Sequence, residues 1–495
     1  MNIKVVLKNT GKIILLESLL LVGPLIVALI YNEDTWMYFI ESIVISICIG
    51  GILNSIPTKE SRIYTKDGFL IVSLTWILVS ILGALPFYLS GEIPNFIDAL
   101  FETVSGFTTT GSTILSNVEG LSKGMLFWRS FTHWIGGIGI LVFLLAFLPQ
   151  SKGQNIYLMR AEVPGPVVTK FVSKVNMNAR ILCLIYIALS MFQVGFLLLG
   201  NMPLFDSIVI TFGTAGTGGF SITNTSIAAY NSPYIEYVVG IFMIIFGINF
   251  NVFYLIYLGN IKEALKSEEL KCYLGIITFF TIIITLNIIP SYLNIGQAFR
   301  NAFFQVGSII TTTGFITADF SLWPNLSKVL LVLLMLIGAC AGSTGGGIKV
   351  YRIMVLFKNS IRSLKSIFSP RSVYSIKVDD EYIEKETVDA IQTYFFVYMA
   401  ILIFSVIVVS ADYIDLIGVF TSVVTCLSNV GPGLGSIVGP VGNFSSLSAL
   451  SKLTLILDML AGRLEIFPLI LLFTSMKFRK YNVNSNIDIK CKEIE

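Results

Sequence analysis

Apolar residues run along this chain in blocks longer than a soluble core uses. Ten blocks come near or exceed the roughly 20 residues of a membrane-spanning helix. They are Lys12 to Tyr31, Trp36 to Leu53, Phe69 to Leu89, Met125 to Leu148, Ile181 to Leu199, Tyr234 to Leu258, Tyr273 to Ile289, Val329 to Phe357, Tyr394 to Val409 and Leu453 to Met476. Between certain neighbours lie apolar segments of only roughly 12 residues, each running into a Gly-, Thr- and Ser-rich stretch. Such a segment cannot cross a hydrocarbon core of about 30 Å, so it is expected to enter the membrane and turn back.

The short segments repeat. Ala99 to Gly111 (ALFETVSGFTTTG) and Ala302 to Gly314 (AFFQVGSIITTTG) agree without a gap at 7 of 13 positions. Ser207 to Gly219 (SIVITFGTAGTGG) is a third copy, and Val419 to Gly431 (VFTSVVTCLSNVG) a fourth, more divergent one. Each lies between two long blocks. The expected architecture is four units of helix, short re-entrant helix, glycine-bearing loop and helix, over 57–150, 151–260, 261–360 and 361–495, the last with a cytoplasmic tail. Two further helices precede them in 1–56. The fold class is an all-α polytopic membrane protein.

Composition supports this. The 495 residues are 55% hydrophobic and 13% charged, against about 25% charged in a soluble protein. Thirty-three basic and 30 acidic residues leave a net charge of +3 with no basic stretch interleaved with aromatics, which excludes nucleic acid as a partner. With a cytoplasmic N-terminus, only Lys123, Arg129, Arg300, Lys328, Lys452 and Arg463 of the 33 Lys and Arg fall on the outer side or inside the membrane. That asymmetry follows the positive-inside rule and puts both termini in the cytoplasm. The six cysteines have no CxxC pair and read as reduced packing residues, and the single histidine, His133, leaves no multi-histidine metal site.

Non-helical backbone persists at membrane depth only where it is buried in protein or lines a water-filled path. Four such loops point to one central path. Glycines let successive carbonyls face inward and replace the water around a dehydrated cation. Short helices aimed at the centre bring their negative C-terminal ends toward it. The competing reading, small-residue stretches for helix packing, is weakened by four copies at the same place in four hairpins.

Several runs carry a closer likeness: GFTTTGST (Gly106 to Thr113), RSFTHWIGGIGIL (Arg129 to Leu141), TGGFS (Thr217 to Ser221), TTTGF (Thr311 to Phe315), AGSTGGGIKVYR (Ala341 to Arg352), NVGPGLG (Asn429 to Gly435) and GRLEIFPLI (Gly462 to Ile470). Through them nearly the whole chain resembles the Trk/Ktr/HKT superfamily of cation transporters, most closely its Trk potassium-uptake branch, which the two leading helices also favour. The resemblance implies a single-chain fold like that of a potassium channel. Its selectivity filter would comprise Thr109, Thr110 and Gly111; Thr217, Gly218 and Gly219; Thr312, Thr313 and Gly314; and Asn429, Val430 and Gly431, holding potassium through backbone carbonyls. Related sodium-selective members typically have serine where Gly111 stands, so the likeness favours potassium. The fourth loop departs most, with Asn429, Val430 and Pro432 in place of the Thr/Thr/Phe pattern. Also implied are a homodimer in the lipid of a bacterial cytoplasmic membrane and a cytoplasmic, nucleotide-binding regulatory subunit. Any nucleotide is expected on that partner, because GGGIK lacks the GxxxxGK[ST] spacing of a phosphate-cradling loop.

Val329 to Phe357 is too long for a simple span and is broken by Gly338, Gly342, Ser343, Thr344, Gly345, Gly346 and Gly347. An unwound loop between two half-helices can block the path below the filter, which is the role the resemblance assigns to it; a glycine-rich cytoplasmic cap is the alternative. Lys349, at its end, is a candidate second positive charge near the inner mouth. Arg463 sits inside Leu453 to Met476, where a charge is costly and faces the protein interior. It reads either as a barrier charge just under the filter or as a structural residue paired with Glu465 or another helix's carbonyls. Residues two apart do not share a helix face, which favours the pore. His133 reads as a packing residue before a proton relay. Asp98, Asp206 and Asp415 read as charges at short-helix N-termini that also draw cations to the outer mouth.

The expected function is potassium uptake without catalysis, with the potassium ion as substrate and no resident cofactor. The alternatives are a sodium-selective or a proton- or sodium-coupled transporter of the same superfamily, a non-conducting membrane scaffold, and an intramembrane enzyme. For the last, one histidine and no metal-ligand cluster leave little machinery.

Overall fold

A computed structural model of the chain describes residues 2–58, 65–139, 175–369, 375–412, 415–435 and 437–478. These are helices and loops apart from one hairpin, Lys377–Val378 paired with Glu381–Tyr382. Six helical stretches are long and apolar enough to cross a membrane: Ile3–Ile30, Trp36–Asn54, Lys66–Leu89, Ala179–Leu199, Glu268–Ser291 and Lys385–Val409. Ile30, Ile52, Leu199 and Phe396 on them stay exposed, as lipid-facing residues do.

The other four blocks are not continuous; Val329 to Phe357 divides at the glycine-rich stretch already read from the sequence, whereas for Met125 to Leu148, Tyr234 to Leu258 and Leu453 to Met476 the reading as single spans is corrected. Tyr234 to Leu258 is two helices, Pro233–Phe246 and Phe250–Tyr257, bent by 88°. Val329 to Phe357 divides into Asn325–Ile337 and Val350–Phe368, and Leu453 to Met476 into Ala449–Arg463 and Phe467–Phe478. Met125 to Leu148 is helical over Lys123–Ile138 and stops at Gly139, φ +86°; residues 140–148 lie outside the described residues. Thus the second helix of every unit ends after 13 to 16 residues, about 20 to 24 Å. In the first, second and fourth units the apolar residues on either side carry each block across a short step, so hydropathy does not register those breaks. Backbone angles are more direct: Gly139, Gly338, Glu465 and Ile466 take left-handed angles that end a helix.

The short helices are Phe96–Phe107, Leu204–Ala215, Ile295–Ile310 and Leu416–Ser428. Asn95, Asn294 and Asp415 cap three of them by accepting N–H groups of the first turn. Each unit's second helix packs on the short helix of the following unit: Lys123–Ile138 on Leu204–Ala215, Pro233–Phe246 on Ile295–Ile310, Asn325–Ile337 on Leu416–Ser428, and Ala449–Arg463 back on Phe96–Phe107. The last contact closes a ring whose order is the chain order. Bonds between outer loops follow the same circuit, from Val118 N–H to Asn224 Oδ1 (2.9 Å), from Ala228 N–H to the Ile316 carbonyl (3.2 Å) and from Phe444 N–H to the Thr113 carbonyl (2.8 Å).

The leading helices Ile3–Leu20 and Trp36–Asn54 meet at Gly11 and Gly50, where a Cβ on Gly11 would strike the backbone of Asn54 and Gly50. Small residues at such a crossing let helices approach closely in lipid. Gly11→Leu is expected to destabilise by about 1–3 kcal/mol through overpacking and to lower the melting temperature of the detergent-solubilised protein. Gly51→Leu, with open space around it, is expected to leave the melting temperature unchanged.

Candidate functional site

The four short helices end in one way. Thr109 N–H bonds to the Gly106 carbonyl and Thr110 N–H to that of Ser105; Thr217 and Gly218 bond likewise to Thr214 and Gly213, Thr312 and Thr313 to Ile309 and Ser308, and Asn429 and Val430 to Cys426 and Thr425. These paired bonds, reaching back three and five residues, are a Schellman termination, whose pivot residue takes a left-handed conformation and is usually glycine. Here the pivots are Thr109 (φ +55°), Thr217 (+53°), Thr312 (+58°) and Asn429 (+56°). Three are β-branched, for which this conformation is an outlier that the surroundings must enforce.

Two residues on, Gly111, Gly219, Gly314 and Gly431 take φ of +81°, +76°, +83° and +102°, while the residue between keeps an ordinary negative φ. Such alternation turns successive N–H groups to one side of the backbone. Since those N–H groups bond back to the helix, the carbonyls face the other side, toward the other loops. A Cβ on Gly111 would overlap the Gly218 carbonyl oxygen, one on Gly219 that of Thr313, one on Gly314 that of Val430, and one on Gly431 that of Thr110. Each glycine thus lies against the residue before the next glycine, and the circuit returns to its start. The structure therefore brings all twelve loop residues named from the sequence into one ring. Outside it opens a vestibule of about 280 Å³ lined by the four glycines, Ser112, Thr113, Arg129, Ser221 and residues 438–444.

The Gly338 to Gly347 stretch lies at the end of the ring opposite the vestibule and is largely buried in protein. Gly346 N–H donates to the Thr312 hydroxyl (2.6 Å), a Cβ on Gly346 would strike the Ser428 carbonyl, and one on Gly345 that of Thr311. The loop is fastened from below to the break in the second unit. Cys340 N–H donates to the Gly247 carbonyl (3.1 Å) and Phe250 N–H to that of Gly342 (3.0 Å). Glu269 accepts the Ala341 N–H at 2.6 Å and the Asn249 amide at 3.4 Å. Sequence reasoning missed Glu269 and Asn249; a carboxylate directly before an apolar block was the available signal for the first.

Arg463 reaches the same layer, where it donates to the Thr344 carbonyl at 2.8 Å and to the carbonyls of Gly136 and Gly137 at the end of Lys123–Ile138. Of its two structural alternatives, carbonyls of other elements are present and Glu465 is not its partner, for Glu465 pairs with Arg352 at 2.6 Å. Lys349 is buried and returns its ammonium to the Gly345 carbonyl, inside the loop rather than at an open mouth. His133 stacks on Phe220 (centroids 4.1 Å apart) against the backbone of Gly216 and Gly218. Asp98 pairs with Lys452 at 2.6 Å, Asp206 accepts the Tyr230 hydroxyl at 3.0 Å, and Asp415 caps its helix.

The TrkH family of cation transport proteins matches residues 36–482. This chain belongs to that family. It is 37% identical over 490 residues to the Trk system potassium uptake protein TrkH of Salmonella typhimurium, covering 97% of this chain and 100% of that one. The Trk system potassium uptake protein TrkG of Escherichia coli K12 is 33% identical, with 97% and 99% covered. The crystal structure of the potassium transporter TrkH from Vibrio parahaemolyticus aligns with a TM-score of 0.86 at 32% identity, over 96% of this chain and 99% of that one. The TrkH-family chain is therefore a multi-pass, all-α membrane protein whose relatives are transporters.

In this TrkH-family chain Arg463 ties the 338–347 loop to the end of Lys123–Ile138 and sets its charge in the layer next to the ring. A unit charge 4 Å from a cation at an effective dielectric near 20 costs about 4 kcal/mol, and a residue of about 1.4 kcal/mol after screening changes site occupancy tenfold. Arg463→Ala is expected to raise cation flux per folded protein by roughly tenfold. Flux and melting temperature measured together decide it, since unchanged flux with a lower melting temperature would leave Arg463 a structural tie alone.

Proposed function

We propose that this TrkH-family chain takes up potassium across the bacterial cytoplasmic membrane by conduction through the four-loop ring, with residues 109–111, 217–219, 312–314 and 429–431 as selectivity filter. The observation that carries this reading is the cyclic contact of four glycines with the carbonyls of the neighbouring loops. A ring of backbone carbonyls offers a dehydrated monovalent cation the oxygen shell it loses from water, and four helix C-termini add negative potential. The names of the relatives, Trk system potassium uptake proteins, support potassium as the ion. The word system in those names supports further components for this chain, which we read as a second copy and a cytoplasmic nucleotide-binding subunit, and the distribution of Lys and Arg supports both termini on the cytoplasmic side.

Residues 338–347 form the gate in this reading and Arg463 the charge barrier. Rescue of a potassium-uptake-deficient bacterium at low external potassium, with rubidium and sodium fluxes on the purified protein, tests the whole reading; absence of rescue by an expressed, membrane-inserted chain would sink it. Gly111→Ser is expected to admit more sodium relative to potassium, because a side chain at φ +81° must push the Gly218 carbonyl aside. A folded mutant with unaltered ion preference would remove the filter assignment. Deleting Gly345 to Gly347 is expected to raise flux and weaken its dependence on the regulatory partner, whereas equal or lower flux in a folded deletion would count against a blocking role.

A further inference from the structure

Glu102, on the short helix Phe96–Phe107, and Arg129, on Lys123–Ile138, form a buried ion pair to which the proposed filter gives no role. Their side chains are 0% and 3% exposed, with Arg129 Nε 2.6 Å from Glu102 Oε1. Stability is a poor explanation, since a buried pair often does no better than apolar packing of the same volume. The local bonds are more specific. Glu102 accepts the Thr113 hydroxyl at 2.9 and 3.0 Å and the Ile114 N–H at 3.0 Å, just past Gly111. Arg129 lies over the Phe220 ring, 3.5 Å from its centroid, and donates through Nη1 to the Ser221 carbonyl at 2.8 Å, two residues past Gly219.

One carboxylate and one guanidinium therefore tether the outer ends of two neighbouring loops. The other units have no such charge. At the position of Glu102 the third unit has Gln305, whose amide reaches Thr317 Oγ1 at 3.4 Å. The second has Ile210, and the fourth has Ser422, bonded within its own helix to the Val419 carbonyl.

We propose that Glu102 and Arg129 are a positioning pair for ion selection: by fixing the chain after Gly111 and after Gly219, they set the width of the carbonyl ring between the first two units. The proposal rests on the ring being the filter. Potassium, rubidium and sodium carry the same charge, so a change in the local field alone acts on them alike to first order. Their flux ratio reports the geometry that the pair holds.

The test uses the full-length purified protein in liposomes, with rubidium and sodium fluxes and melting temperature measured on each variant. Glu102→Gln keeps the side chain's shape and drops the charge that holds Arg129, copying the third unit. Arg129→Lys keeps the charge and loses the forked reach to Ser221. Both are expected to lower the rubidium-to-sodium ratio by about five- to tenfold while remaining folded. Lower melting temperatures with an unchanged ratio would show a merely structural pair and overturn the proposal. Should Arg129→Lys not fold, the isosteric Glu102→Gln decides alone. Gly111→Ser run alongside separates the two failures. If it shifts the ratio and the pair variants do not, the positioning proposal falls and the filter reading stands. If it also leaves the ratio unchanged, both fall.

Discussion

No side chain fits between the glycine of one loop and the carbonyl of the next, and the contact is made four times around a closed circuit. Each unit is therefore located by its neighbours, and a displacement of a few tenths of an ångström at one position must be absorbed by the other three. The surrounding hydroxyls serve this constraint. Thr108 and Thr110 share a bond at 2.8 Å, Thr311 and Thr313 at 2.7 Å, and Asn429 closes the seam between the fourth loop and the first by donating to Thr110 Oγ1 at 2.9 Å and to the Met459 carbonyl at 3.0 Å. Left-handed threonines cost of order 1–3 kcal/mol each and persist only where packing over-determines them. The burial of Thr109, Thr217 and Thr312 supplies that packing.

The inner half of the molecule answers a different constraint. Breaking four helices at membrane depth frees carbonyls and N–H groups that lipid cannot satisfy. The breaks satisfy one another instead: Gly136, Gly137 and Thr344 through Arg463, Gly247 through Cys340, and Gly342 through Phe250. An unpaired buried donor or acceptor costs about 1–3 kcal/mol. Moving the 338–347 loop therefore exchanges several such bonds at once, and water entering the freed path must take up the groups released. If the proposed gate opens by moving this loop, these bonds must break together, which favours a switch between two arrangements over a gradual widening.

What could be read beforehand follows the same division. The short helices and their glycines were legible because the ring imposes one backbone conformation four times, which leaves a repeat. Asn429 looked like a departure from that repeat, yet it occupies the left-handed position that threonine fills elsewhere, and asparagine tolerates that conformation better. The breaks in the first, second and fourth units were hidden because apolar residues on both sides carry each block across a short step; Ile466, within one of them, is itself left-handed. Glu269, and Arg129 with its partner 27 positions away, act across elements whose proximity only the cyclic packing creates. Hydropathy marks membrane depth without marking neighbours.

Carrying four units in one chain has a physical consequence beyond geometry. In a ring of four identical subunits, any charge placed near the axis appears four times. Four guanidinium groups beneath the ring, each repelling a cation by about 4 kcal/mol at 4 Å and an effective dielectric near 20, would shut the path entirely. Here the backbone ring repeats while its charges do not: Arg463 belongs to the fourth unit, the buried Glu102–Arg129 pair to the first, and the long loop to the third. In the proposed reading, a single arginine would leave a barrier that a cation can still cross. Separating the units also lets the loop of the third rest against carbonyls presented by the second and the fourth. The symmetric part of the molecule is the part we propose as the filter, and the elements proposed to regulate passage break the symmetry.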